Sequence, residues 1–554
     1  MILKVKNKRK AKGISSRKWT RILARDLPEQ VSLTGSFMKG DSLVYRDILY
    51  RDRLNKQQEA GMFIGRDDEL MILEQKYQSP KSELVVLFGR RRIGKTETLR
   101  QFCKGKEHIF YSCIQDNNET QRRLFSKAVL EQNHPLAGFI QSFDDWETAL
   151  KAAAVLPYKG KKLVVMDEFP YLVKGDPSFP SILQNVWDRE LKDQKVMLIL
   201  CGSSMSFIEK EFLAHKNPMY GRATAIMKMK SLPFRDVCRF FPNYSPREQV
   251  LVYSILGGIP HYLIQFNPDK SLAENVKEQI LNPGTLFASE TEFLLKEELR
   301  EPAAYNSIIK AVAAGASRLG EIKDRALLGS TGLTSTYLSN LTDLGIIKKV
   351  FSIDAGEKVK SNRQRGIYKV ADHYFDFWYS FCHTNRSSID GGMGDALYDQ
   401  VIEPSMNHFA SSAFEEICTE YLWKLNQMGE LPFTFFDIGH WMGKTTVRDP
   451  GYSSGLRTEE TELDIMAFSQ DRNQVLVGEC KFKNAPFQFS EYLDTAAKAE
   501  KLERSAAVHY YLFSLAGFDE KLVEHAAMNS RIHLIPLSEI VPKNSPCGSE
   551  TKIL

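Results

Sequence analysis

The sequence predicts an α/β multidomain protein: a parallel sheet with helices and a phosphate-binding loop (P-loop), then a winged helix, then a smaller α/β domain. Three observations predict it. LVVLFGRRRIGKTETLRQF, Leu84 to Phe102, reads as an apolar strand, a loop with Gly89 and Gly94, and a helix opening on Lys95 and Thr96. That is the strand–loop–helix context of G-x-x-x-x-G-K-T. KKLVVMDEFPYL, Lys161 to Leu172, is a buried-type strand ending in two carboxylates, where a parallel sheet places its site. Far downstream, two apolar strands carry Asp464 and then Glu479-Cys480-Lys481 between helical stretches. With 554 residues the chain exceeds a single core, and 43% hydrophobic against 26% charged residues is the composition of a folding chain.

Composition excludes several classes. The eight cysteines, at 103, 113, 201, 238, 382, 418, 480 and 547, form no C-x-x-C or zinc-ribbon spacing, as expected of free thiols in a reducing cytosol. No apolar run is long enough to span a membrane, and MILKVKNKRK has no apolar segment behind its charges. A cytoplasmic protein is expected. The net charge of +5 is uneven: residues 1–60 hold 15 Lys and Arg against 6 Asp and Glu, leaving the remainder at −4. The body is therefore not a strongly basic nucleic-acid binder. Residues 1–61 read as a basic leader, poorly ordered or upstream of a true start at Met62, with a phosphate-contacting arm as the alternative.

Residues 62–300 are expected to form a P-loop ATPase with a helical lid. Backbone N–H groups from Gly89, Arg90, Arg91, Arg92, Ile93, Gly94, Lys95, Thr96 and Glu97 would wrap the phosphates of ATP, helped by the helix N-terminus. Lys95 reaches the β- and γ-phosphates and Thr96 ligates Mg²⁺. Asp167, closing its strand, suits the Mg²⁺-holding role, and the adjacent Glu168 suits the base or water-positioning role. A third strand, VMLILCGSS, ends in Ser203 and Ser204, which resembles the sensor 1 position that contacts the attacking water or γ-phosphate. Arg222, in YGR, is a candidate arginine for the γ-phosphate, in cis or from a neighbouring subunit. FIGRDDEL, from Phe63, resembles the F-x-G-R-x-x-E-L box that packs near the adenine in AAA-type ATPases. LGGIPHYL resembles the G-x-P motif of signal-transduction ATPases, which implies that Pro260 lies against the adenine.

The order FIGRDDEL, GRRRIGKT, VVMDE, YGR, GGIPHYL resembles the archaeal-type ATPase family. That family is AAA-related, occurs in archaea and bacteria, and carries a C-terminal archaeal/bacterial domain of unknown function. The resemblance covers residues 62 to about 545 and leaves residues 1–61 outside. It implies ATP binding, hydrolysis and a nuclease-like tail, with no defined substrate.

Residues 301–380 show three short helical patterns, the last ending at Gly345, then IIKKVF, a polar loop and IYKVAD. This is winged-helix order. Thr334 to Leu344, the recognition-helix position, lacks Lys and Arg, whereas the wing holds Lys358, Lys360, Arg363 and Arg365. Any DNA contact is expected to rest on the wing and phosphates; a packing or lid role is the alternative. HYFDFWYSF, from His373, reads as interdomain core, and residues 381–405 as a linker.

Residues 406–545 resemble the PD-(D/E)xK nuclease core. Asp464 is followed fifteen residues later by Glu479-x-Lys481, with Glu415 on the preceding helix. Asp464 and Glu479 suit Mg²⁺ ligands that polarise a scissile phosphate, and Lys481 shares a strand face with Glu479 to orient the nucleophile. His440 and Trp441 read as packing residues. Two alternatives stand beside an ATP-coupled nuclease: a regulatory switch whose nuclease-like domain is an inactive scaffold, and a winged-helix DNA-binding regulator with a nucleotide sensor. A second copy of the chain or a protein partner is compatible with each.

Overall fold

Uninterrupted apolar runs build the first sheet, because a strand covered on both faces needs apolar residues at every position. The computed structural model describes residues 63–203, 212, 214, 217–354, 366–448, 456–502 and 506–542. β1 (Glu83–Phe88), β2 (His108–Ser112), β3 (Lys162–Asp167), β4 (Val196–Gly202) and β5 (Ala225–Lys228) form one sheet in the order β2-β3-β4-β1-β5. Every neighbouring pair is parallel. β1 and β4 are buried at every position. Val85 and Leu87 face one core and Leu84 and Val86 the other, as two-residue alternation requires. This order sets the end of β4 between the ends of β1 and β3.

Four helices position the site: α1 (Asp67–Gln78) before β1, α2 (Lys95–Cys103) after the phosphate loop, α3 (Phe169–Gly175) after β3, and α4 (Leu286–Glu298) closing a helical region that starts at Phe234. Then come α5 (Pro302–Ala313), α6 (Leu319–Arg325) and α7 (Thr331–Asp343), followed by the antiparallel ribbon β6 (Ile347–Val350) and β7 (Ile367–Val370). Lys358, Lys360, Arg363, Arg365 and Ser204 lie outside the described residues.

α8 (His373–Phe377) opens the aromatic run, and Tyr374, Phe375, Phe377 and Trp378 are all at most 2% exposed. Tyr374 Oη donates to the Phe287 carbonyl of α4 at 2.7 Å, so the run packs against the lid. The stretch expected as a linker, 381–405, is instead helical over Arg386–Asp390, Gly394–Leu397 and from Tyr398 onward. Ile389, Leu397, Tyr398 and Ile402 are buried there. The GGMG turn looks like a linker in sequence, but apolar residues on either side give each short helix a face to bury.

The last region comprises α9 (Ser411–Met428), β8 (Ile438–Arg448), β9 (Leu456–Phe468), β10 (Gln474–Lys481), α10 (Phe489–Leu502), β11 (Ala507–Ser514) and β12 (Ile532–Pro536). Its sheet runs β12-β11-β10-β9-β8; β10, β11 and β12 are parallel, whereas β9 is antiparallel to both β8 and β10. One hydrophobic core runs from Leu73 of α1 through Phe287 and Trp378 to Phe414 and Phe513, so Met62–Leu554 makes one compact unit. No helix among the described residues is long and apolar enough to cross a membrane.

Candidate functional site

The phosphate loop leaves β1 at Gly89 (φ 156°) and turns into α2 at Gly94 (φ 87°). Arg92 also takes a left-handed backbone, φ 71°, which costs a side-chain-bearing residue about 1–2 kcal/mol. The loop is braced from outside. Arg66 of the FIGR box, 6% exposed, donates to the Ile93 carbonyl and to the Lys230 carbonyl, each at 2.7 Å. The resemblance implies a place near the adenine for this box; in the structure its arginine fixes the loop, a long-range contact that local pattern does not reveal. Pro260 reaches the same place: a Cβ added to Gly94 would stand 3.7 Å from Pro260 Cγ.

Lys95 is 6% exposed, and its Nζ donates to the Gly89 and Arg90 carbonyls at 2.9 Å each. Burial pulls its proton affinity down, with Asp167 and Glu168 pulling the other way. Thr96 Oγ1 donates to Asp167 Oδ2 at 2.6 Å. A hydroxyl and a carboxylate converging on one point suit Mg²⁺, which takes few protein oxygens and completes its octahedron with phosphate and water. Glu168 caps α3 in a left-handed conformation, φ 52°, a strained backbone of the kind found at functional sites. Ser203 Oγ, at the end of β4, donates to Glu168 Oε2 at 3.0 Å, so Ser203, Glu168, Asp167, Thr96 and Lys95 gather at one sheet edge. Arg222 is drawn elsewhere: its Nε and Nη2 bind Asp188 at 3.0 and 2.7 Å, and Nη1 binds the Pro218 carbonyl at 2.6 Å.

Each loop arginine holds a distant carboxylate. Arg90 pairs with Asp372 and Arg92 with Glu290, and both carboxylates are 1% exposed. Arg91 binds Glu297 and Glu298 of α4 at 2.6 Å each. Asp372 also caps α8, accepting from Phe375 N at 2.9 Å. The adjacent His373 meets Glu416 of α9, Nε2 to Oε2 at 3.1 Å, and Glu416 also pairs with Lys348 of β6. Arg90, Lys348, Asp372, His373 and Glu416 line a cavity of about 680 Å³ between β5, α7, β6 and α9. Burial alone would raise Glu416, but His373 and Lys348 hold it at about 2. Burial disfavours the His373 cation, and Glu416 overcomes that and raises its affinity for a proton.

The second constellation sits in the C-terminal sheet. Asp464 and Glu479 follow directly on the last β9–β10 pair, Gly478 against Ile465, and lie within electrostatic reach of each other. Asp464 Oδ2 accepts from Cys480 N at 2.9 Å and Lys481 Nζ donates to Glu479 Oε1 at 2.6 Å. Among the described residues Glu479 Oε2 is buried without a hydrogen-bond partner, which suits a cation ligand; an unpaired buried carboxylate oxygen is otherwise costly. Burial and then Asp464 push Glu415 up to about 8. Burial likewise raises Asp464 and Glu479. Among the described residues no three or more His, Cys, Asp or Glu gather as metal ligands, so a cation here would rest on two carboxylates.

Three features of this constellation were not foreseen. Lys369 of β7 and Lys498 of α10 lie within electrostatic reach of Asp464. His440, expected as a packing residue, sets its Nδ1 3.4 Å from the Asp464 carbonyl and its Nε2 3.6 Å from Glu462. The segment after β6 also docks on β8, with Ile353 N donating to the His440 carbonyl at 2.9 Å and Trp441 Nε1 to Asp354 at 3.0 Å.

Residues 63–266 match the family described as an ATPase domain predominantly from Archaea, and residues 378–499 match archaeal and bacterial proteins of unknown function. An uncharacterised protein of Methanocaldococcus jannaschii is 31% identical over 423 residues, spanning 76% of this chain and 88% of that protein. An uncharacterised ATP-binding protein of the same organism is 44% identical over 46 residues, 8% of this chain and 78% of that one. Among solved structures, a Walker-type ATPase of Pyrococcus abyssi is similar with a TM-score of 0.43 at 20% identity, over 57% of this chain and 96% of that chain.

Proposed function

The chain belongs to the family that joins an ATPase domain found predominantly in Archaea to a domain of archaeal and bacterial proteins of unknown function, and from that premise we propose an ATP-hydrolysing enzyme that acts on nucleic acid through its C-terminal region. The protein is an ATPase. In this reading residues 62–300 bind ATP, 301–380 are a winged helix, and 406–545 are a nuclease-like domain. Lys95 and the loop N–H groups bind the phosphates, and Glu168, oriented by Ser203, positions the water. Thr96 and Asp167 would hold Mg²⁺, which supplies charge to the phosphate oxygens. Pro260 packs beside Gly94, where the loop turns into α2 and the adenine side of the site is expected.

Support for the nuclease role comes chiefly from one arrangement: Asp464 and Glu479 lie within electrostatic reach of each other just past the β9–β10 pairs, one Glu479 oxygen is buried with no hydrogen-bond partner among the described residues, and Lys481 holds the other. Those residues would hold a divalent cation, which would polarise a scissile phosphodiester, while Lys481 orients the nucleophile. DNA is the proposed partner. Asp464→Ala and Lys481→Ala are each expected to remove Mg²⁺-dependent cleavage of DNA or RNA while ATP hydrolysis continues; cleavage that survives both changes would refute the assignment. A second reading, an ATP-dependent switch with an inactive scaffold, is favoured by Lys369, a cation from β7 placed near Asp464 and Glu415. It predicts ATP turnover without cleavage by the unaltered protein.

A further inference from the structure

The three loop arginines are not equivalent. Arg90 and Arg92 are tied to carboxylates that are 1% exposed, so releasing either would strand a buried charge. Arg91 pairs with Glu297 and Glu298, whose side chains are 36% and 24% exposed. Pairs in contact with solvent are weaker than buried ones, so Arg91 leaves its partners more readily than Arg90 or Arg92 leaves its own.

Its second contact shows where it can go. Arg91 Nη2 reaches Tyr171 Oη at 3.3 Å. Tyr171 lies in the first turn of α3, its N–H bonded to the Glu168 carbonyl at 3.0 Å. Arg91 therefore bridges the phosphate loop and the helix that starts at Glu168. A γ-phosphate held by Lys95 and faced by a water on Glu168 must lie between those two elements. A guanidinium offers two parallel donors to phosphate oxygens there, a stronger match than its exposed carboxylates.

We propose that Arg91 is the arginine that stabilises the γ-phosphate during transfer, supplied in cis from the phosphate loop, with Glu297 and Glu298 holding it until ATP arrives. In the step, the water oxygen bonds to the γ-phosphorus as the bond to the β–γ bridging oxygen breaks. That electron pair leaves on ADP, the water proton passes to Glu168, and Arg91 neutralises charge on the transferred oxygens. Arg222 pairs with Asp188, itself 40% exposed, and is the competing candidate that the test must include. The placement of the γ-phosphate between the two elements and the destination of the proton both rest on the proposed role of Glu168.

The test is steady-state ATP hydrolysis with parallel ATP-binding titrations on the full chain. Arg91→Ala is expected to lower kcat by about 100-fold or more while ATP affinity shifts only a few-fold. Arg91→Lys keeps the charge without the fork and should recover part of the rate; it also serves as the readout if the alanine variant fails to fold. Glu297→Gln combined with Glu298→Gln should raise turnover or lower KM. Wild-type kcat in Arg91→Ala or Arg91→Lys, or the same loss arising in Arg222→Ala instead, would overturn the proposal. Glu168→Gln separates the two readings: wild-type turnover there, with turnover lost in Arg91→Ala, removes the water-positioning role and leaves Arg91 standing.

Discussion

Lys95 holds its ammonium against two loop carbonyls in a site where only 6% of the residue is exposed. Two neutral acceptors compensate poorly for lost hydration, whereas a polyphosphate supplies the missing counter-charge. Lys95→Ala is therefore expected to abolish measurable ATP binding by titration while the fold persists. Glu168 is held in a left-handed backbone and aligned by Ser203. Glu168→Gln keeps that hydrogen bond but not the base, so ATP should bind with near-wild-type affinity while single-turnover hydrolysis slows by roughly 10²–10⁴. Gly258 shows the packing limit around the loop: a Cβ there would lie 1.8 Å from the Leu232 carbonyl oxygen. Gly258→Ala should cost about 3 kcal/mol or more by denaturant unfolding, with β5 and the lid moving apart.

At the scale of elements, the junction of α8, α9 and β6 is electrostatic. A histidine raised by folding stabilises fully below its ordinary 6.5 and loses that as pH rises through its folded value. A glutamate held at about 2 stabilises fully above its ordinary 4.5 and loses that as pH falls toward 2. The His373–Glu416 pair is therefore whole at roughly pH 5–6. His373→Gln should cost roughly 1–2 kcal/mol there, less than a fully buried pair because Glu416 is 34% exposed. The gap from wild type, read from unfolding midpoints, should narrow toward pH 9. None of this junction was legible in the sequence. β1, β3 and β4 were legible because each is a local apolar run ending in chemistry-bearing residues, and Lys95, Thr96, Asp167 and Glu168 came with them. Arg66 bracing Ile93, Arg90 on Asp372 and Lys369 near Glu415 join residues far apart in the chain, and no periodicity encodes such pairs. The supposed linker was misread because glycines at 391, 392 and 394 obscured short helices whose buried faces exist only against the assembled core.

Across the whole molecule, ion pairs and hydrogen bonds run from the phosphate loop toward the second carboxylate set. Arg90 meets Asp372, the neighbouring His373 meets Glu416, and Glu416 follows Glu415 directly in α9. The segment after β6 meanwhile docks on β8 beside His440. Coupling needs an element with two arrangements, and phosphates arriving at a loop crowded with arginine–carboxylate pairs would bias such an element. Hydrogen exchange in β6, β7 and α8 should therefore differ between ATP-bound and ADP-bound protein, and Asp372→Asn should shrink that difference. The central claim, that ATP state governs cutting of nucleic acid by the Asp464/Glu479/Lys481 set, is tested most directly by cleavage of single- and double-stranded DNA and RNA in Mg²⁺. The unaltered protein would be compared with ATP, with ADP and without nucleotide, beside Asp464→Ala. Cleavage whose rate changes with nucleotide and vanishes in Asp464→Ala is the predicted result. Equal rates in all three nucleotide conditions, or no cleavage of any substrate while ATP turnover continues, would contradict it.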